Sequence, residues 1–286
     1  MNELERAIMT SSCLDCASIP KVWDAGRILD TANGPVQIMH NGLQMKAGGY
    51  HGDWMAQIIR ALKGHHEPQE ELVFHHILRY VRHNSLIVEL GAFWSYYTLW
   101  YLNEIPSSSA ICIEPDLNNL QLGQYNASLN GLEDRINFHN SCVGGESRES
   151  VELHWESDGQ MHTLPCLDMV AVSRLANERT IEILHMDVQG AELPFIRSMA
   201  AAVEHKQLRF VIVSTHHSSI SGSRTTHTDC RQALLELGAV ILAEHDVQQS
   251  YSGDGLIAAS FFPEDRRIEL PPVSLNKAHF SLFPEL

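Results

Sequence analysis

From about residue 85 onward, short apolar runs alternate with segments in which apolar residues recur at helical spacing. Seven runs have the length and the aliphatic composition of buried strands, and they cover 86–90, 110–113, 135–139, 181–186, 209–214, 240–243 and 256–261. Between them, apolar residues recur at helical spacing over 96–103, 117–130, 192–204 and 228–237. Apolar strands separated by helices predict an α/β fold with a mostly parallel, seven-stranded sheet and helices on both faces.

The first 83 residues follow a different pattern. A strand is predicted over 36–39, and a turn follows it at Asn41-Gly42. Two amphipathic helices are predicted over 54–62 and 70–82. We therefore divide the chain into three parts. They are an N-terminal α/β extension over 1–83, a catalytic domain over 84–262 and a C-terminal tail over 263–286.

The tail contains four prolines, which favour a path along the surface; they are Pro263, Pro271, Pro272 and Pro284.

Charge and composition narrow the class of protein. The 286 residues contain 20 Lys+Arg and 35 Asp+Glu, a formal charge of −15, and 17 histidines that could change the sign of this charge on protonation. An acidic surface argues against nucleic-acid and anionic membrane partners, which need concentrated basic residues. No secretory signal and no run of about 18 apolar residues is apparent. Cysteines in apolar surroundings are typical of reduced thiols, so we expect a cytoplasmic protein.

The candidate chemistry lies just after the predicted strands, because ligands of such sheets bind beyond the carboxyl ends of the strands. Three places combine acids with a turn: 89–95, Glu114 and 187–192. A carboxylate at the end of the second strand, such as Glu114, can accept hydrogen bonds from both hydroxyls of a ribose. An adenosine-containing ligand is therefore expected.

The first turn separates two kinds of adenosine ligand. A dinucleotide pyrophosphate favours a Gly-x-Gly-x-x-Gly turn, whereas this turn offers only Gly91. Glu89 would repel a pyrophosphate and favour a cationic tail, which points to S-adenosylmethionine. Two alternatives stay open. One is an NAD-type dinucleotide-dependent oxidoreductase, and the other is a non-catalytic protein of this fold whose histidines bind a metal or another protein.

Three motifs resemble the FkbM-like methyltransferases: Val88-Glu89-Leu90-Gly91-Ala92 with Ser95-Tyr96-Tyr97-Thr98, Ile113-Glu114-Pro115-Asp116, and His185 to Leu193. The resemblance covers roughly 85–261. Its most specific block is Asp-Val-Gln-Gly-Ala-Glu at 187–192, where the family has Asp-Val-Glu-Gly-Ala-Glu. It implies a Rossmann-like class I methyltransferase fold, S-adenosylmethionine as cofactor, and O-methylation of a natural product or a sugar.

The resemblance also implies roles for individual residues. The first turn would hold the methionine part of the donor, Glu114 the ribose and 140–142 the adenine, while Asp187 would face donor and acceptor. The implied cofactor-binding residues are Glu89, Gly91, Ala92, Ser95, Tyr96, Glu114, Pro115, Asn140, Ser141, Cys142, Asp187 and Gln189. This turn departs from the family pattern Gly-Ala-Asn-x-Gly, because Phe93 and Ser95 replace the Asn and the second Gly. A serine is disfavoured where the backbone needs a positive φ.

Methyl transfer is an in-line displacement that mainly requires alignment, but a hydroxyl acceptor must also lose its proton. We predict His216, after the fifth strand of the domain, as the general base, with His217 as the alternate and Asp187 beside the reacting groups. The predicted acceptor is a small molecule. A divalent ion held by Asp187 with His216 or His217 is an open alternative. The segment 65–71 is expected to cover the site.

Overall fold

A computed structural model describes residues 3–277 of the chain. The strands are β1 Ile28–Thr31, β2 Gly34–Ile38, β3 Gln44–Lys46, β4 Leu86–Leu90, β5 Ser109–Glu114, β6 Ile136–Asn140, β7 Cys142–Val143, β8 Arg148–His154, β9 Met161–Leu167, β10 Ile181–Met186, β11 Leu208–Thr215, β12 Val240–His245 and β13 Gly255–Ser260. The helices are α1 Glu3–Ser12, α2 Asp53–Ala61, α3 Pro68–Ile77, α4 Tyr96–Glu104, α5 Leu117–Leu129, α6 Met169–Leu175, α7 Glu192–Arg197, α8 Ala200–Glu204, α9 Ser218–Ser221 and α10 Thr226–Glu236.

Seven strands form the central sheet, in the order β12-β13-β11-β10-β4-β5-β6. All neighbouring pairs from β11 to β6 are parallel, and β13 runs antiparallel to both β11 and β12. The strand order reverses between β4 and β10, and this switch point is where ligands of open α/β sheets bind. The predicted α/β fold with a mostly parallel, seven-stranded sheet is confirmed.

Burial explains why these segments form strands. Every residue of β4, β10, β11 and β13 is buried, as expected for strands covered on both faces. One face of the sheet packs against α6, α7, α8 and α10. Within residues 3–277, no helix has the length and the apolar character needed to cross a membrane.

The other face of the sheet is covered by α4 and by the N-terminal part of the chain. β1, β2 and β3 form a small antiparallel meander. Met39, Met45 and Ile58 from this part join one buried cluster with Tyr96 and Trp100 of α4. Residues 3–83 therefore share a hydrophobic core with the sheet and lie against it.

Two features differ from the sequence-based expectation. β7, β8 and β9 form a second small sheet that the hydrophobic pattern did not predict, because most residues of β8 are exposed. The helix predicted over 192–204 is divided into α7 and α8. Ser198 lies at the break, where its Oγ donates to the carbonyl of Phe195 at 2.7 Å and accepts from the amide of Met169 at 3.1 Å. Side-chain bonds of this kind compete with helix continuation.

The described part of the tail returns to the N-terminal segments. The amide of Ser274 donates to Asp15 at 2.7 Å, and the amide of Asn276 donates to the carbonyl of Gln249 at 2.9 Å. The side chain of Gln69 reaches the carbonyl of Ser274 at 2.6 Å. Pro284, which was expected on the same surface path, lies outside the described residues.

A buried ion network at the amino ends of β10 and β11 provides a stability test. Arg209 contacts Glu182 at 2.6 Å and Asp265 at 2.8 Å, and all three residues are buried. Arg209→Ala would leave two buried carboxylates without this cation, so we expect the free energy of unfolding to fall by about 3 kcal/mol in urea titrations. Arg174→Ala, at an exposed position of α6, is the control, and equal losses in both variants would contradict the prediction.

Candidate functional site

A cavity of about 510 Å³ opens beyond the carboxyl ends of β4, β5 and β10. Three parts of the chain line it: the strand ends, the N-terminal segments and the β8–β9 hairpin. Nine of the sequence-predicted cofactor residues line this cavity, namely Glu89, Gly91, Ala92, Glu114, Pro115, Ser141, Cys142, Asp187 and Gln189. The structure therefore brings most of the predicted cofactor residues to one place, at the switch point of the sheet.

The close approach of two turns makes Gly91 necessary. Its φ is +73°, and a Cβ at this position would lie 1.7 Å from the carbonyl oxygen of Asp187. The amide of Gly91 donates to the carbonyl of Ile113 at 2.9 Å, which ties the same turn to β5. Only glycine fits a backbone contact of this kind.

The remainder of the first turn is strained, as its sequence indicated. Phe93 has a φ of +38° and Ser95 a φ of +62°, although neither is glycine. Ser95 is buried at the start of α4 and does not line the cavity, and its Oγ has no hydrogen-bond partner among residues 3–277. Tyr96 also points elsewhere, and its hydroxyl donates to Glu71 at 3.2 Å. These two residues shape the turn without lining the cavity.

Buried carboxylates occupy the ends of β4 and β5. Glu89 accepts from the amide of Thr98 at 3.0 Å, and burial raises its pKa. Glu114 accepts from the amides of Phe93 at 2.9 Å and Asp116 at 3.0 Å, yet burial raises the pKa of Glu114 to about 8. The ring of His185 on the adjacent strand partly offsets the rise in the pKa of Glu89, whereas the Glu114 carboxyl receives only backbone hydrogen bonds.

Asn140 does not line the cavity. Its Nδ2 donates to the carbonyls of Glu114 at 3.1 Å and Pro115 at 2.7 Å, so it holds the turn after β5 in place. Of the three residues predicted to lie near the adenine, Ser141 and Cys142 line the cavity and Asn140 does not.

The contacts of both ring nitrogens argue against His216 as the general base. Its Nε2 lies 3.0 Å from Oδ1 of Asp187, and its Nδ1 lies 2.6 Å from Oε1 of Glu192. Burial favours the neutral ring, but the carboxylates of Asp254, Asp187 and Glu192 hold the pKa of His216 well above its ordinary value. A ring that keeps both protons cannot accept a third. His216 lies behind Asp187 and does not line the cavity.

His217, the alternate base, does not line the cavity either. It is half-buried at the start of α9, where its Nδ1 accepts from the amide of Ser219 at 3.1 Å.

Segment 65–71 was expected to cover the site, and its residues His66 and Glu67 line the cavity. Sequence reasoning missed two other groups of lining residues. The N-terminal segments also contribute Tyr50 and His51, and the β8–β9 hairpin contributes Leu153, His154, Trp155 and Glu156. The hairpin was missed because most residues of β8 are exposed and only alternate residues of β9 are buried.

Asp187 with His216 or His217, the metal ligands considered from the sequence, are not part of any group of three close potential ligands among residues 3–277. The group of described residues with the closest potential ligand atoms is His40, His65 and Glu71, which lies outside the cavity. The rings of His40 and His65 are stacked, with centroids 4.3 Å apart and an interplanar angle of 17°. Lone pairs lie in the ring planes, so nearly parallel stacked rings cannot both direct them at one ion. We assign no metal to this group.

The strain at Ser95 leads to a prediction. Ser95→Gly removes the cost of a left-handed serine and of a buried hydroxyl without a partner, so we expect the free energy of unfolding to rise by about 1 kcal/mol. Urea titration measures this change. Ser128→Gly, in the last turn of α5 where the backbone is helical, should instead destabilise by about 0.5–1 kcal/mol. A loss of stability in Ser95→Gly would contradict the strain seen at this turn.

The family model of the methyltransferase FkbM domain matches residues 92–241 of this chain, which is more than half of its length. Among curated proteins, none matches. The chain is similar to a putative O-methyltransferase from Klebsiella pneumoniae, with 14% identity, a TM-score of 0.42 and coverage of 67% of this chain and 78% of the other.

Two further solved structures contain S-adenosylhomocysteine. The O-methyltransferase from Bacillus cereus has 13% identity and a TM-score of 0.39, with coverage of 67% of this chain and 79% of the other. TrmK from M. capricolum has 11% identity and a TM-score of 0.42, with coverage of 69% and 74%. Because the family model itself covers more than half of the residues, the chain belongs to the FkbM methyltransferase domain family, for which S-adenosylmethionine is the cofactor.

Proposed function

We propose that this protein transfers the methyl group of S-adenosylmethionine to a hydroxyl group of a small molecule, such as a natural product or a sugar. The observation that carries the proposal is the charge of the cavity. Six acids line it, namely Glu67, Glu89, Glu114, Asp116, Glu156 and Asp187, and no lysine or arginine of residues 3–277 does so. Two lining histidines have raised pKa values, His66 and His185, and both are already in contact with carboxylates. A cavity of this kind favours a cationic ligand and disfavours a phosphorylated one.

Glu114 fits the ribose of the donor. It is a buried carboxylate that receives only backbone hydrogen bonds, and its raised pKa reflects this incomplete compensation. Two ribose hydroxyls would add donors to the same carboxylate, which offsets part of its desolvation. The ribose hydroxyls of the donor would therefore supply hydrogen bonds that the buried carboxylate of Glu114 lacks.

The β8–β9 hairpin offers a wall for the adenine. Trp155 is 9% exposed and lines the cavity, and its indole nitrogen is buried without a hydrogen-bond partner in the described part of the chain. Ser157, two residues later, donates to Asp116 through its amide at 3.0 Å and through its hydroxyl at 2.7 Å. This contact holds the hairpin beside the turn that follows Glu114. One face of the indole is stacked on the ring of His162, with centroids 3.5 Å apart, and the adenine would stack on the other face.

Asp187 is the acid that would face the donor methyl group and the acceptor. His216 contacts Oδ1 of Asp187 and is itself held by Glu192, so the ring orients the carboxylate. In this proposal His216 is a positioning residue, and a different residue removes the proton of the acceptor.

The second candidate is a dinucleotide-dependent oxidoreductase. The adenosine-binding acid Glu114 would suit it equally well, but a pyrophosphate would meet more carboxylates than cations, since His66 and His185 are already paired with Glu71 and Glu70. The same charge argument favours an acceptor without phosphate groups over a nucleic acid.

Binding of S-adenosylhomocysteine tests the donor site. We expect micromolar affinity in isothermal titration calorimetry, and we expect Glu114→Ala to lower the affinity at least 30-fold, since charge-assisted hydrogen bonds contribute about 2 kcal/mol or more. Glu133→Ala, at an exposed position before β6, is the control and should bind like the wild type. Thermal stabilisation by NAD but not by S-adenosylhomocysteine would refute the proposal.

The proposed contact between Trp155 and the adenine of the donor leads to a separate prediction. Trp155→Ala should weaken S-adenosylhomocysteine binding about 10-fold, because stacking of a base on an aromatic ring contributes about 1–3 kcal/mol. Trp155→Phe keeps an aromatic face and should stay within about 3-fold of the wild type. Trp23→Ala changes a tryptophan that is 85% exposed and serves as the control. Wild-type affinity in the Trp155→Ala variant would remove the indole from the adenine site.

A further inference from the structure

The acceptor side of the same cavity comes from a different part of the chain than the donor side, and its assignment rests on the proposed function. With the donor held along Gly91, Glu114 and Asp187 and its adenine beside the β8–β9 hairpin, a further part of the wall comes from the N-terminal segments, outside the matched family region of residues 92–241. Its polar groups are those that would meet an acceptor hydroxyl.

Few of these groups can accept a proton. Both ring nitrogens of His66 lie beside carboxylates: Nδ1 is 2.8 Å from Oε1 of Glu71, and Nε2 is 3.3 Å from Oε2 of Glu67. Burial opposes charge on this ring, but Glu67 and Glu71 raise the pKa of His66 to about 10, so the ring keeps both protons. Burial lowers the pKa of the His51 ring, so this ring can accept a proton. However, it lies on a turn with a φ of +48° and is contacted by the rings of Tyr50 and Phe93 rather than held by a hydrogen bond within residues 3–277. The carboxylate of Glu67 is the acceptor group that is both ionised and held in place.

Glu67 is fixed through its backbone and through one of its oxygens. It precedes Pro68, the first residue of α3, and its amide donates to Oε1 of Glu71 at 3.1 Å. The hydroxyl of Tyr97 donates to Oε2 of Glu67 at 2.9 Å, and His66 contacts the same oxygen. Oε1 has no hydrogen-bond or ion-pair partner within residues 3–277, and the side chain is 10% exposed. The carboxylate thus keeps one oxygen available to the cavity.

Two carboxylates from different parts of the chain line this cavity, Glu67 and Asp187. Each is in contact with an imidazole, His66 for Glu67 and His216 for Asp187. Glu67 lies at the start of α3, and Asp187 and His216 follow the ends of β10 and β11. Asp187 belongs to the donor side of the proposed site, and Glu67 belongs to the N-terminal wall.

We propose that Glu67 is the catalytic base, and that it removes the proton of the acceptor hydroxyl in the course of methyl transfer. The acceptor oxygen forms a bond to the methyl carbon while the carbon–sulfur bond breaks and its electron pair returns to sulfur. The hydroxyl proton passes to Oε1 of Glu67, which becomes a neutral carboxylic acid and later releases the proton to water. His66 and Tyr97 are positioning residues, since they bond to the other oxygen.

The test uses sinefungin, an analogue of S-adenosylhomocysteine that carries an amine where the donor carries its methyl group. A carboxylate near the transferred methyl group attracts this amine. Calorimetry on the full chain should show that the wild type binds sinefungin about 10-fold more tightly than S-adenosylhomocysteine. Glu67→Gln should reduce this preference to about 2-fold or less, with S-adenosylhomocysteine affinity unchanged within about 2-fold. Glu133→Gln, at the exposed control position, should retain the full preference.

Tyr97→Phe keeps the charge of Glu67 and loses only its hydrogen bond, so most of the preference for sinefungin should remain. Equal affinity of the wild type for the two ligands would overturn the proposal even if Glu67→Gln did not fold. A preference that survives Glu67→Gln but disappears in Asp187→Asn would assign the base to Asp187 and also overturn it. Failure of S-adenosylhomocysteine to bind the wild type would instead refute the proposed function.

Discussion

The need to compensate buried carboxylates governs how the N-terminal part of the chain is joined to the sheet. Helix α3 begins inside the protein, and Glu67, Glu70 and Glu71 are all buried. Glu71 accepts from the amides of His66 and Glu67, contacts the ring of His65 and accepts from Tyr96 of α4. A buried ion that loses its partners costs several kcal/mol, so these contacts keep the start of α3 in one position relative to the sheet.

Glu70 connects the same helix to the centre of the sheet. It lies 2.6 Å from Nε2 of His185 on β10 and accepts from Ser214 on β11 at 2.9 Å. His65, His66 and His185 are thus paired with the acids of α3, as His216 is paired with Asp187. Several of the 17 histidines of the chain are therefore buried beside carboxylates and do not lie on the protein surface.

The sequence predicted the sheet well because most of its strands, β4, β5, β10, β11 and β13 among them, are buried and mainly apolar runs, and this pattern is a local property of the chain. It predicted the strand-end residues Glu114 and Asp187 for the same reason, since their position follows directly from where a strand ends. The hairpin with Trp155 gave no such signal, because its strands are exposed. The contacts of Glu67 and His216 depend on residues that lie far apart in sequence, such as Tyr97 and Glu192, and no periodicity reveals them. The strain at Ser95 could be predicted because a positive φ penalises any side chain.

The contact between Gly91 and the carbonyl of Asp187 has a consequence for protein engineering. Because no side chain fits between the two turns, any other residue at position 91 would force the backbone at Asp187 to move. A combinatorial library that alters the loop after β4 must therefore keep glycine at this position or sample the loop after β10 at the same time. Changes on the hairpin around Trp155, which is joined to this region mainly through Asp116, are free of this restriction and are the simpler route to altered donor analogues.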